Sequence, residues 1–183
     1  MKRVNTVIAL IWLLCFAAPQ VSSARTSWRQ GTAGKAVSSD CVVRFHNLGR
    51  YRGDRWSRVF RDREVAPALK GLLKNEYRKL VDSLERVNYP EDSLSLVDSR
   101  GVLRLEGGVP GLYTIREAIL IVEPCGNIYA AILDQGERIL YFTNDREYTG
   151  RLPPAIEDWR ARTERARSSP VSKPELPVVF KNQ

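Results

Sequence analysis

Ala118-Ile119-Leu120-Ile121-Val122, Pro124-Cys125-Gly126-Asn127, Ile128-Tyr129-Ala130-Ala131-Ile132-Leu133, Asp134-Gln135-Gly136-Glu137 and Arg138-Ile139-Leu140-Tyr141-Phe142-Thr143 follow one another almost without a break. Three apolar, β-prone runs are separated by two short turns rich in Gly, Pro, Asn and Asp. Turns this short force antiparallel neighbours, because parallel pairing needs a crossover of about a dozen residues or more. The stretch therefore predicts a β-meander. Its runs are apolar at successive positions, which predicts a sheet covered on both faces.

Upstream, Val102-Leu103-Arg104-Leu105-Glu106 reads as a further strand. It ends in Gly107-Gly108-Val109-Pro110-Gly111, a loop with two sharp turn signals. Before it, Val65, Ala66, Leu69, Leu72, Leu73, Tyr77, Leu80, Val81 and Leu84 step by three and four, with Pro67 in the first turn and Pro90 beyond the end. That spacing predicts one amphipathic helix of about six turns over one face of the sheet. Lys70, Lys74, Arg78, Lys79, Asp82 and Glu85 fall on its opposite face, as expected of a solvated surface. Pro154, Ile156 and Trp159 predict a shorter second helix for the other face, anchored by Trp159 and fraying outward from Arg160 to Arg167. The expected fold is α+β, an antiparallel meander packed by one long helix and a shorter C-terminal one.

The domain spans residues 41–167 on this reading. Residues 25–40 are a Gly-, Ser- and Thr-containing lead-in without an apolar face. Residues 168–183, with Pro170, Pro174 and Pro177, are expected to be a disordered, extended tail. Residues 1–24 have the three parts of a secretory signal peptide: Lys2 and Arg3, the 12-residue run Val7 to Ala18, and the small exit Ser22-Ser23-Ala24. The run falls short of the roughly 20 residues that cross a bilayer. Cleavage after Ala24 leaves 159 residues in the periplasm or outside the cell, and loss of Lys2 and Arg3 takes the net charge from +8 to +6.

Cleavage also removes Cys15 and leaves Cys41 and Cys125, a pair suited to a disulfide in an oxidising compartment. In the chain-entropy model, closing 84 residues of chain stabilises by about 4.5 kcal/mol. Two independent buried thiols are the alternative.

With one histidine, His46, a multi-histidine metal site is excluded. Gly-rich phosphate loops, Gly-x-Ser-x-Gly, His-Glu-x-x-His and Cys-x-x-Cys are all missing. No cofactor is implied. Two catalytic options remain: a thiol of Cys41 or Cys125 paired with His46, and a hydrolase or transferase using the strand-end carboxylates Glu106, Glu117, Glu123 and Asp134. Arg44, Arg50, Arg52, Arg55, Arg58, Arg61 and Arg63 interleave with Phe45, Tyr51, Trp56 and Phe60. Guanidinium forks beside aromatic rings suit anions, so Arg50, Arg52, Arg55, Trp56 and Arg58 form a candidate anion-binding segment. Arginine supplies 22 of the 29 basic residues, which a compositional habit explains equally. Export disfavours nucleic acid and leaves lipid headgroups, wall polymers or an acidic protein surface as partners.

From the long helix through Leu133, the chain resembles the bacterial inhibitor of vertebrate lysozyme family. The shared features are an export signal, a helix, a strand, a Pro-containing loop, a strand, a short turn and the small-residue strand Ile128 to Leu133. The resemblance implies a secreted α+β protein that inserts a loop into a lysozyme cleft. The family's Cys-Lys-Pro-His-Asp-Cys hexapeptide corresponds here to Gly108-Val109-Pro110-Gly111-Leu112-Tyr113, where Pro110 alone matches. The expectation is a non-enzymatic binding protein, inhibitor or immunity-like factor, with Val109, Pro110, Leu112 and Tyr113 contacting a protein partner; the alternative is that Leu112 and Tyr113 start the next strand and pack inward. A small apolar and aromatic centre is what such contacts favour.

Overall fold

The three apolar runs become the strands expected of them in a computed structural model of the protein. It describes residues 42–53, 56–85, 96–109, 111–112, 114–167 and 175–181. The expected leader, the lead-in and Cys41 lie outside the described residues. Six strands lie in chain order across one sheet: β1 Leu96–Val97, β2 Leu103–Gly108, β3 Glu117–Val122, β4 Ile128–Asp134, β5 Arg138–Thr143 and β6 Val178–Phe180. β1 to β5 pair antiparallel, as a meander must. The fold is α+β.

Period-two alternation divides the sheet's side chains between two cores. On one face Leu105, Leu120, Ile132 and Phe142 pack with Leu69, Leu73, Leu80 and Leu84 of a helical layer. On the other, Ile119, Ile121, Ala131 and Leu133 pack with Ile156 and Trp159 of a second layer. Every residue of β4 is consequently buried. Among the described residues, no helix is long and apolar enough to cross a membrane.

The first helical layer is not the single six-turn helix its spacing predicts. Helix α1, Val65–Leu73, ends at Lys74, whose φ of 49° lies in the left-handed region. A 3-10 turn over Lys74–Glu76 then leads into α2, Tyr77–Glu85. Leu69 and Leu73 before the break and Leu80 and Leu84 after it enter the same core. The apolar period therefore runs straight through the break.

Asp62 sets the start of α1. Its Oδ1 accepts the backbone N–H groups of Glu64 (2.7 Å) and Val65 (2.8 Å), donors that a helix's first turn leaves without partners.

Helix α3, Pro154–Arg167, continues past Arg160 instead of fraying. Thr163 is buried, and Arg160 lies within 3.1 Å of Glu164, so polar contacts with neighbours replace the missing apolar positions. The tail departs further from expectation. Leu176 is buried in the second core, and β6 runs parallel to β5, with the Ile139 N–H donating to the Pro177 carbonyl (2.9 Å). Proline forbids a helix there, yet it is accommodated at the start of an edge strand, where its missing N–H is not needed.

Candidate functional site

The loop joining β2 to β3 closes on itself. Val109 N–H donates to the Arg116 carbonyl (3.0 Å), Leu112 N–H to the Val109 carbonyl (2.8 Å), and Arg116 N–H to the Leu112 carbonyl (2.8 Å). Gly111 at φ 74° and Thr114 at φ 69° supply its sharp reversals. The Thr114 N–H donates to Glu117 Oε1 (2.6 Å), while Glu117 Oε2 accepts from the Thr163 hydroxyl of α3 (3.0 Å). One carboxylate thus joins the loop base to the helix behind the sheet.

On this frame Leu112 is 37% exposed and Ile115 41% exposed. Val109, expected to face a partner, is instead buried at 9% because it closes the hairpin. Pro110 and Tyr113 lie outside the described residues. Ile115 was not among the residues the sequence singled out; it stands alone between the Leu112-Tyr113 pair and the apolar run that begins at Ala118. Its exposure follows from the loop running on to Arg116.

In the Arg–aromatic segment Phe45, Tyr51 and Phe60 are buried, while Arg44, Arg50, Arg52, Arg58, Arg61 and Arg63 are exposed. Arg50 and the Tyr51 hydroxyl both donate to Asp62, whose side chain is 2% exposed. The Arg50 guanidinium also lies 4.9 Å from the centre of the Tyr51 ring. Arg50 is therefore a partner of an internal carboxylate. Burial pushes the Asp62 carboxyl upward, but the Tyr51 hydroxyl, the two backbone donors and Arg50 outweigh it and leave it below its ordinary range. Arg52 is exposed and reaches the Asp98 carbonyl at 3.4 Å. Arg58 is exposed as well. Arg55 and the side chain of Trp56 lie outside the described residues.

Of the candidate carboxylates, Glu106 and Glu117 share one face of the β2–β3 pair and meet the consecutive α3 residues Arg162 and Thr163, whereas Glu123 and Asp134 are engaged elsewhere. Glu106 accepts from Arg104 (2.6 Å) and Arg162 (2.5 Å), and Glu123 accepts from Asn127 (3.0 Å). Asp134 meets Lys79 (3.2 Å) and Arg138 (3.0 Å), tying α2 to the β4–β5 turn. His46 is exposed; its backbone N–H and its Nδ1 both face Glu64, at 3.1 and 3.8 Å. Among the described residues, no group of three His, Cys, Asp or Glu side chains could hold a metal ion.

No family model, curated protein or solved structure matches this chain. The class it belongs to is therefore defined by its own geometry: an α+β scaffold with a meander covered on both faces and a braced loop at one end.

Proposed function

We propose that the protein is an exported, non-enzymatic binding protein of the bacterial envelope, acting as an inhibitor or immunity-like factor through the β2–β3 loop. The observation that carries this is the pairing of Leu112 and Ile115, exposed apolar side chains on a loop braced by backbone hydrogen bonds and by Glu117. A rigid loop loses little conformational entropy on binding, and a small apolar centre supplies the contact. Against carboxylate catalysis, Glu106, Glu117, Glu123 and Asp134 each already serve an internal donor.

Export and a Cys41–Cys125 bridge belong to the same proposal. The backbone N–H groups of Arg44 and Phe45, three and four residues beyond Cys41, both donate to the carbonyl of Pro124 (2.8 and 3.0 Å). The chain therefore passes beside the Cys125 turn soon after Cys41.

The test is affinity recovery from periplasmic and secreted extracts by the immobilised protein, with lysozymes included because of the helix and strand order. A partner that binds the wild-type protein and is lost from Leu112→Ala/Ile115→Ala supports the proposal. Undiminished recovery by that variant contradicts it.

A further inference from the structure

The exposed side of the first helical layer carries a row of cations that no internal carboxylate answers. Lys70, Lys74 and Arg78 follow at four-residue intervals across the α1–α2 break, and all three are exposed. Lys70 and Lys74 stand one turn apart, the Lys74 N–H donating to the Lys70 carbonyl as α1 closes, and Arg78 follows in the first turn of α2. Arg61 joins them. The Tyr77 hydroxyl lies 3.4 Å from the Phe60 carbonyl, and the Phe60 and Tyr77 rings meet edge to face at 6.3 Å. Arg61 therefore emerges beside the junction of the two helices. Lys70 Nζ lies 5.6 Å from the centre of the same Tyr77 ring.

Nearby acids are committed elsewhere or stand at the end of the row. Glu76 pairs with Lys79 at 2.9 Å, and Lys79 in turn reaches Asp134. Glu64 faces His46. Asp82, one turn beyond Arg78, is exposed. Among the described residues, Arg61, Lys70, Lys74 and Arg78 have no carboxylate partner. At the centre of the row, Lys74 occupies a backbone conformation (φ 49°, ψ −118°) that residues with a Cβ adopt only under strain. An exposed cation and a strained backbone thus coincide at the junction of α1 and α2.

We propose that this face binds a linear, water-soluble polymer bearing repeated phosphate groups. A bilayer is disfavoured because the exposed large apolar residues, Val42, Val43, Leu112 and Ile115, all lie off α1 and α2. Nucleic acid is disfavoured because the aromatic ring on this face, Tyr77, is half-buried and occupied by Phe60 and Lys70, leaving no platform for bases. What the face offers is charge, in lysine points and arginine forks that suit phosphate oxygens.

The test uses long-chain inorganic polyphosphate and the purified protein, titrated across a salt series. The expected result is binding that weakens steeply as salt rises. Lys70→Gln/Lys74→Gln/Arg78→Gln should bind at least tenfold more weakly at low salt, with the slope of log K against log salt reduced by about 2. Should the triple variant not fold, Arg78→Gln alone should reduce the slope by about 0.7. An unchanged slope in a folded variant overturns the proposal. So does loss of binding in Arg52→Gln/Arg58→Gln instead, or binding to anionic phospholipid vesicles without binding to polyphosphate. None of these outcomes involves Leu112 or Ile115, so the result is independent of the loop proposal.

Discussion

Gly136, in the β4–β5 turn, lies so close to Thr114 that a Cβ on it would stand 2.8 Å from the Thr114 carbonyl oxygen. Two turns at the same end of the sheet thus support one another, and the second fixes the height of the loop that carries Leu112 and Ile115. The φ of Gly136, +70°, adds a conformational demand that a side chain meets poorly.

Replacing Gly136 by Ala should therefore destabilise the fold by about 1–2 kcal/mol through contact and strain together. It should also weaken partner recovery through the loop. Urea denaturation measures the first effect and affinity recovery the second. A variant as stable as wild type would mean that the two turns do not press on each other.

Leu112→Ala/Ile115→Ala should leave stability within about 0.5 kcal/mol per site, because surface side chains contribute little to folding. Leu120→Ala, in the core below, should cost about 2–5 kcal/mol. Parallel urea titrations check the contrast. A large loss from the loop pair would make those residues part of the packing.

Asp62 gives the fold an acid limb. Its folded-state pKa lies below its ordinary value, so the stabilisation is fully present above that value and is lost as pH falls below about 4 toward the lower folded-state pKa. Asp62→Asn should cost about 2–3 kcal/mol at neutral pH, since four donors lose a charged acceptor. It should also flatten the decline in acid. Thermal melts between pH 2 and 7 test both, and an unchanged acid slope in the variant would assign the decline to Asp98 and Asp134.

Most of the architecture was legible because each strand announces itself locally. Ala118–Val122 and Ile128–Leu133 are apolar at every position, and only a sheet covered on both sides buries them. Three features escaped for specific reasons. The break at Lys74 carries no Gly or Pro, and the apolar period on either side is in phase. Strand β6 hides among prolines, which exclude helix but admit an edge strand. The contact between Arg50, Tyr51 and Asp62 joins residues 11 and 12 positions apart, so an arginine that resembles an anion site in the sequence already has its anion. At the loop, Leu112 was legible as an apolar residue among turn signals. Whether Val109 or Ile115 accompanies it depends on where the hairpin closes, and that is set by the hydrogen bond from the Val109 N–H to the Arg116 carbonyl.

Shortening the chain before Glu175 should uncover Tyr141 and the β5 edge, since Phe180 meets Tyr141 at 5.7 Å and Leu176 fills the second core. The expected loss is about 2–5 kcal/mol, the scale of removing one large buried side chain, with concentration-dependent association through the exposed edge. Equilibrium unfolding and sedimentation measure the two effects. A monomer of full stability would make β6 dispensable.

The most direct measurement places a photo-crosslinking residue at 112 or 115 in the living cell, and at the exposed position 158 of α3 as a control. A protein adduct of defined mass from 112 and 115, with none from 158, is the predicted result. Adducts from 158 alone would contradict the assignment of the β2–β3 loop as the contact surface.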